Sequence, residues 1–243
     1  FFLDELEKLS NIGVKTLRLS DEMFFLNRKH YVPILEGIIE RKLKFNIWAY
    51  ARVDTVREDM LELFKKAGVN WLALGIEAGN QNVRLSIEKG RFKDVNIRSV
   101  VDLIKKYDIN ILGNYIVGFP EDDYKSMNST LDLALELNTE FANFYPCQAL
   151  PGSPLYTQAI KEGGDMKSYN YEEFAFLSYE SKPLKTKYLT SAEVVQFRDH
   201  AWHKYHTSEN YLGLVEKKFG KDNRTNVEEM AKIKLKRKLQ VNL

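Results

Sequence analysis

Polar residues and glycines collect where five predicted strands end. In parallel α/β folds the loops converge at that edge of the sheet and helix N-termini point inward, so ligands bind there. A capping or turn role explains any single residue, but recurrence after every strand predicts a binding site. The residues are Asp21 and Glu22 after the first strand, Arg52 after the second, Glu77 after the third, Asn114, Gly118 and Pro120 along and after the fourth, and Gln148 after the fifth.

These side chains suit a polar, zwitterionic or ribose-bearing ligand. Glu77 ends an apolar strand, where an unpaired carboxylate is costly to bury, and it can accept hydrogen bonds from both hydroxyls of a ribose. Arg52 or Lys89 can hold a carboxylate, and the sequence does not rank the two. Gly118 lets a flat ring or a backbone come close.

Short β-branched and aromatic runs alternate with helical patterns through most of the chain. Strands are predicted at 14–20, 45–51, 71–76, 110–117 and 141–147, and helices near 29–41, 56–67, 94–107 and 123–138. The nearly continuous apolar run at 71–76 is typical of a parallel sheet covered by helices. Strict alternation predicts an α/β layer or an incomplete barrel.

After Tyr156 the pattern becomes mainly helical. Thr190 followed by Glu193 is typical of a capped helix start, and helices are predicted to about 207, from 210 to 219 and from 225 to the end. The last stretch is basic, and we expect the solvated face of a terminal helix there, with a nucleic-acid or substrate patch as the alternative. Its alternating residues are Lys232, Lys234, Lys236, Arg237 and Lys238.

Composition excludes several classes of protein. The 243 residues carry 36 Lys and Arg against 34 Asp and Glu, a net charge of +2 that calls for neither nucleic acid nor a membrane. A single cysteine, Cys147, excludes a disulfide framework and a site built from several thiolates, and we expect it to be a buried core thiol. At helical spacing His200, His203 and His206 cannot all meet one ion. No apolar run is long enough to span a bilayer and no signal segment opens the chain, so the cytosol is the expected compartment.

The chain opens without a helix start signal. Phe1 stands where a starting Met is expected, and apolar residues at 2, 3, 6 and 9 fit a helix with no N-cap residue before it. This opening predicts a fragment cut inside an element.

Several motifs follow one another in an order that is specific as a set. They are Asp21-Glu22-x-Phe24, Trp48-x-x-x-Arg52-x-Asp54, Gly75-Ile76-Glu77-x-Gly79, Leu85-x-x-x-Lys89-Gly90, Ile116-x-Gly118-x-Pro120-Glu121 and Pro151-Gly152-Ser153-Pro154-Leu155-Tyr156. This ordered set resembles the radical S-adenosylmethionine (SAM) superfamily over about residues 1–156. The nearest branch is the one whose members usually carry a cobalamin (B12)-binding domain ahead of the barrel.

The resemblance implies an α/β fold: a partial (β/α)6 TIM-like radical SAM barrel lacking its first strand over residues 1–160, and a mainly helical C-terminal extension over 161–243. In that superfamily a [4Fe-4S] cluster on a C-x-x-x-C-x-x-C loop cleaves SAM reductively to a 5′-deoxyadenosyl radical. The implied SAM contacts, matched by position, are Asp21 and Glu22 for the methionine amino group, Arg52 or Lys89 for its carboxylate, Glu77 and Asn114 for the ribose, and Gly118 and Pro120 for the adenine.

The cysteine loop of the superfamily is missing from the sequence, and Cys147 is not in a matching position. We therefore expect the cluster cysteines upstream of Phe1, no metal ligands in this chain, and no turnover by the fragment alone. For the parent protein the resemblance implies a small-molecule substrate and an electron donor such as flavodoxin or ferredoxin.

Three functions stay open at this point. The first is cobalamin-dependent methyl transfer to an unactivated carbon. The second is radical SAM chemistry without B12, such as methylthiolation or a cyclisation. The third is a cluster-free homologue that only binds a ligand or partner.

Overall fold

The computed structural model describes residues 1–22, 24–83 and 95–239, and within them the strands form one five-stranded sheet. The strands are β1 (Thr16–Arg18), β2 (Asn46–Arg52), β3 (Val69–Glu77), β4 (Asn110–Val117) and β5 (Phe141–Pro146). They are parallel and lie in chain order, β1-β2-β3-β4-β5. The predicted α/β, partial TIM-like fold with a helical C-terminal part is confirmed.

Helices alternate with the strands and then continue by themselves. The helices are α1 (Phe2–Asn11), α2 (Arg28–Glu40), α3 (Glu58–Lys66), α4 (Ile97–Lys106), α5 (Tyr124–Leu137), α6 (Pro154–Lys161), α7 (Ser191–His206), α8 (Glu209–Phe219) and α9 (Lys221–Ala231). Among the described residues, no helix combines the length and apolarity that crossing a membrane requires.

A polar side chain begins α7 where the sequence predicts it. Thr190 Oγ1 accepts a hydrogen bond from the Glu193 N–H at 3.3 Å, and Glu193 Oε2 accepts one from the Thr190 N–H at 2.8 Å. The predicted capping box of α7 is therefore confirmed. Helix α1, in contrast, follows Phe1 without a side-chain cap.

The chain divides into two compact units. The first unit holds residues 1–76, 95–114 and 139–141, and the second unit holds 77–83, 115–138 and 142–239, as far as the chain is described. Buried Phe25 stacks on Phe64 in the first unit, with ring centroids 4.0 Å apart. In the second unit Tyr115 stacks on Phe144 at 5.2 Å. Each unit therefore has its own aromatic core.

The side chains of β2 alternate between the two faces of the sheet. Ile47, Ala49 and Ala51 are buried, whereas Trp48 and Tyr50 are only half-buried. This period of two is what a strand with one covered face requires. The less buried face is therefore the one that can meet a ligand.

The prediction of a helix from 225 to the end is wrong over residues 232–239, because α9 stops at Ala231; the last four residues lie outside the described part of the chain. Arg237 is buried and donates hydrogen bonds to both carboxylate oxygens of Asp199 at 2.8 Å and to the carbonyl oxygens of Phe176 and Ser178, also at 2.8 Å. These contacts with residues far away in the sequence hold the segment in a non-helical path, so its basic residues do not share a helix face.

His206 lies in an aromatic cluster of α7 and α8. Its ring centroid is 4.4 Å from that of Trp202 and 5.1 Å from that of Tyr211, and its Nδ1 is 2.8 Å from the carbonyl oxygen of Trp202. Within the described residues, no three His, Cys, Asp or Glu side chains are grouped to hold a metal ion. Burial lowers the pKa of His206 to about 4, and the positive charge of nearby Arg198 acts in the same direction.

The depressed pKa of His206 predicts that the folded protein loses stability as the solution becomes acidic. Between its ordinary pKa of about 6.5 and the folded value, the unfolded chain takes up a proton that the folded chain does not, so stability falls as pH falls. We expect His206 to contribute about 2 kcal/mol to the loss of unfolding free energy between pH 7 and pH 5. Urea titrations should show a smaller loss for His206→Phe, which keeps an aromatic ring but cannot titrate.

Leu212→Ala in α8 is the control, because it removes buried apolar surface and lowers the unfolding free energy equally at both pH values. Equal pH dependence of wild type and His206→Phe would contradict the prediction.

Candidate functional site

In the first unit, Glu22 and Arg52 line one small pocket at the carboxyl end of β2. Phe25 and Tyr50 form part of its apolar wall. Glu22 is exposed and Arg52 is half-buried. The structure therefore brings together two of the predicted site residues, one of each charge, which suits a zwitterionic ligand.

Asp54 holds the Arg52 side chain in place. The guanidinium donates from Nε to Asp54 Oδ1 at 3.0 Å and from Nη2 to Asp54 Oδ2 at 2.9 Å. Thr55 Oγ1 accepts from the Arg52 N–H at 3.2 Å and donates to the Arg52 carbonyl at 2.8 Å, which fixes the turn. A ligand carboxylate at Arg52 must share the guanidinium with Asp54.

Asp21 and Asn114 also belong to the first unit. Asp21 is exposed and directly precedes Glu22. Asn114 is half-buried on β4, and β3 lies between that strand and β2 in the sheet. The pocket of Glu22 and Arg52 includes neither residue.

In the second unit, Glu77 ends β3 in an unusual backbone conformation. Its φ is +66°, in the left-handed region that costs a residue with a Cβ roughly 1–2 kcal/mol. The side chain is half-buried. Two residues later the Gly79 N–H donates to Thr130 Oγ1 at 2.9 Å, and a Cβ at Gly79 would lie 2.3 Å from the Ser129 carbonyl oxygen. Close packing against α5 thus fixes the backbone just after Glu77.

The turn after β4 is organised by a carboxylate that sequence reasoning did not single out. Asp122 Oδ2 accepts hydrogen bonds from the backbone N–H groups of Gly118 and Phe119, both at 2.9 Å, and Ser126 Oγ donates to the other oxygen. Asp122 is only 1% exposed. Burial raises the pKa of Asp122, while the hydrogen bond from Ser126 and those from the two backbone N–H groups oppose the rise.

The helical C-terminal part holds the same turn from the other side. Gly118 has φ +82°, and a Cβ there would lie 2.3 Å from Val194 Cγ1 of α7. The carbonyl oxygen of Pro120 accepts from the Lys187 N–H at 2.9 Å. Gly118 and Pro120 are thus placed by contacts on both sides, as a rigid binding turn requires.

Cys147 is a buried thiol, as predicted. Burial raises its pKa to about 12, and the negative charges of Asp122 and Glu77 act in the same direction. The thiolate that would bind iron is therefore disfavoured. One buried thiol does not fit a [4Fe-4S] cluster, which binds through several thiolates.

Lys89 and Gln148 complete the set of residues that the sequence predicts for the site. Lys89 lies outside the described residues. Gln148 follows β5, is half-buried, and has an Nε2 that is buried without a hydrogen-bond partner among the described residues. Asp54 and Asp122 were not predicted as site residues, although a carboxylate two to four residues from a predicted contact is the signal that could have found them.

Asp122→Ala should destabilise the protein, because it leaves two backbone N–H groups at Gly118 and Phe119 without their acceptor. We expect the unfolding free energy in urea to drop by about 2–4 kcal/mol. Asp122→Asn should lose less, because its carbonyl oxygen can still accept both bonds. Exposed Asp132→Ala in α5 is the matched control and should change stability little; equal losses for Asp122→Ala and Asp132→Ala would contradict this role.

Glu77→Gly should be more stable than Glu77→Gln. Both variants remove the carboxylate, but only Gly relieves the left-handed strain, and we expect a difference of about 1 kcal/mol in unfolding free energy. At Glu62, inside helix α3, the order should reverse, because Gly weakens a helix interior. A Glu77→Gly variant that is no more stable than Glu77→Gln would show that the backbone at Glu77 is not strained.

Comparison with known proteins identifies the family of this chain. The model of the radical SAM superfamily matches residues 2–134. An uncharacterized methyltransferase of Pyrococcus horikoshii is 26% identical over 182 residues, which cover 75% of this chain and 39% of that protein. The anaerobic magnesium-protoporphyrin IX monomethyl ester cyclase of Cereibacter sphaeroides is 28% identical over 198 residues, 79% of this chain and 31% of the cyclase. The chain therefore spans well under half the length of either relative.

A solved structure gives the same fold. The radical SAM methyltransferase TsrM from Kitasatospora setae, with cobalamin and a [4Fe-4S] cluster bound, aligns with a TM-score of 0.59 at 20% identity over 66% of this chain and 31% of that one. At that identity the likeness concerns the fold. The superfamily match, which spans more than half of the chain, shows that this chain belongs to the radical SAM superfamily.

Proposed function

We propose that this chain is the SAM-binding part of a radical SAM enzyme that transfers a methyl group, with the help of cobalamin, to an unactivated carbon of a small molecule. The methyltransferase relative supports methyl transfer, and TsrM supports the use of cobalamin on this fold. The observation that carries SAM binding is Glu77, a half-buried carboxylate held in a strained conformation at the end of a strand. Such strain is found where the surroundings fix a residue for binding.

The residues of each unit fit parts of SAM. In the first unit Asp21 and Glu22 suit the methionine ammonium group, and Arg52 suits its carboxylate. In the second unit Glu77 suits the ribose hydroxyls, and the turn at Gly118 and Pro120 suits the adenine. SAM, when bound and cleaved reductively at a cluster, supplies the 5′-deoxyadenosyl radical that abstracts hydrogen from a substrate.

The cluster needs thiolates that these 243 residues do not contain. We propose that a preceding segment of a longer protein supplies these thiolates. We also propose that flavodoxin or ferredoxin reduces the cluster. The domain limits of the sequence analysis, with the barrel over 1–160 and the extension over 161–243, are part of this proposal. Turnover then belongs to the longer protein and not to this chain alone.

A second candidate is radical SAM chemistry that does not transfer a methyl group. The cyclase of Cereibacter sphaeroides favours it, because its match to this chain is as extensive as that of the methyltransferase. Both candidates use SAM in the same way, so the site residues keep their proposed roles in either case.

Binding of SAM to the 243-residue chain tests the site. Calorimetric titration should show binding that Glu77→Gln weakens about tenfold, because a charged acceptor of hydrogen bonds is lost. Glu172→Gln, at an exposed position of the second unit, removes the same charge and should bind SAM like the wild type. Equal binding by the wild type and Glu77→Gln would overturn the role of Glu77.

Anaerobic reconstitution with iron and sulfide tests where the cluster forms. The 243-residue chain should form no stable cluster and no 5′-deoxyadenosine, whereas a longer protein with a C-x-x-x-C-x-x-C loop ahead of Phe1 should form both. A longer protein without the loop that still binds SAM would point to the cluster-free homologue instead.

A further inference from the structure

Arg18, Trp48 and Tyr50 form a contiguous group on one face of the first unit, which we name the aromatic face. Arg18 of β1 is the register partner of Trp48 on β2. Its guanidinium carbon lies 4.5 Å from the ring centroid of Trp48 and 5.6 Å from that of Tyr50, and Nη2 donates to the Tyr50 hydroxyl. The rings of Trp48 and Tyr50 meet edge to face, with centroids 4.7 Å apart.

The aromatic face is open to solvent. Arg18 is exposed, Trp48 and Tyr50 are half-buried, and Thr16 and Asn46 beside them are exposed. The opposite face of β2 is the one buried in the core. Two large aromatic rings that folding leaves partly uncovered retain apolar area that a ligand can bury.

Arg18 brings a positive charge to this face. In the part of the chain that the structure describes, Arg18 forms no ion pair with a carboxylate, whereas Arg52, further along the same face, is bidentate to Asp54. A guanidinium stacked on aromatic rings still has N–H donors at its edge, and these can form bidentate hydrogen bonds with a carboxylate. Aromatic surface next to a cation is complementary to a planar anion.

We propose that the aromatic face binds a planar, conjugated molecule that carries a carboxylate. The ring system would lie against Trp48 and Tyr50, and the carboxylate would pair with Arg18. The face continues along β2 to Arg52, so this molecule is the substrate class of the proposed enzyme; that identification rests on the proposed function, whereas the binding itself does not.

The test compares 2-naphthoate with its uncharged analogue 2-naphthamide, titrated calorimetrically into the 243-residue chain without SAM. The wild type should bind 2-naphthoate more tightly than 2-naphthamide. Arg18→Gln should weaken binding of 2-naphthoate about tenfold and leave 2-naphthamide unchanged, because only the carboxylate needs the charge. Trp48→Leu should weaken both ligands, and circular dichroism checks that the variants are folded.

Lys15→Gln provides the matched control. Lys15 is exposed and three residues before Arg18, so alternation places it on the other face, and the variant should bind both ligands like the wild type. Three results would each overturn the inference. The wild type and Arg18→Gln could bind 2-naphthoate equally, Lys15→Gln and Arg18→Gln could lose the same affinity for it, or the wild type could bind neither ligand. Binding of 2-naphthoate by a chain that does not bind SAM would overturn the proposed function and leave the aromatic face standing.

Discussion

Backbone hydrogen bonds between parallel strands decide which side chains of this protein can share a ligand. β1 pairs with β2 and β2 with β3 in parallel, and the register sets Arg18 beside Trp48 and Arg52 beside Gly75. A shift by one residue would exchange the faces of a strand and turn buried Ala51 outward in place of Arg52. The burial of one face of β2 therefore fixes both the pocket of Glu22 and Arg52 and the aromatic face.

The second unit positions its groups in another way, by fixing a turn instead of a strand. Asp122 accepts the backbone N–H groups of the turn after β4 from within the chain, and Val194 and Lys187 contact the same turn from the C-terminal part. The C-terminal part therefore helps to order this turn, because it restricts the backbone at Gly118 and Pro120. A turn held by several independent contacts loses little entropy when a ligand binds.

Local patterns were sufficient to predict the five strands and most of the helices, because each depends on residues close in sequence; α6 (Pro154–Lys161) was not predicted. The Thr190–Glu193 capping box spans one helical turn, and the apolar run of β3 and the end of β4 at Val117 follow from period and composition. The resemblance of ordered motifs gave the family, which the match over residues 2–134 confirms. The roles of the individual site residues stay predictions.

Long-range contacts could not be predicted in this way. Arg237 pairs with Asp199, 38 residues earlier, and the pairing replaces the helix that periodicity predicted. A run of Lys and Arg cannot reveal which member will find a buried carboxylate, because that depends on how α7 lies against the end of the chain. Asp122 was missed for a different reason: its contacts are local, but its partners include backbone N–H groups, which any sequence supplies, so only its spacing from Gly118 and Pro120 marks it.

The positions that cost the fold free energy are also those where the sequence places polar chemistry. Glu77 adopts a left-handed conformation although a Gly would adopt it without strain. Arg18 lies next to half-buried aromatic rings and, among the described residues, forms no ion pair with a carboxylate. A sequence selected only for stability would relieve each of these with a simple substitution. Both features are what a ligand-binding protein requires, because interactions with the ligand can offset such costs.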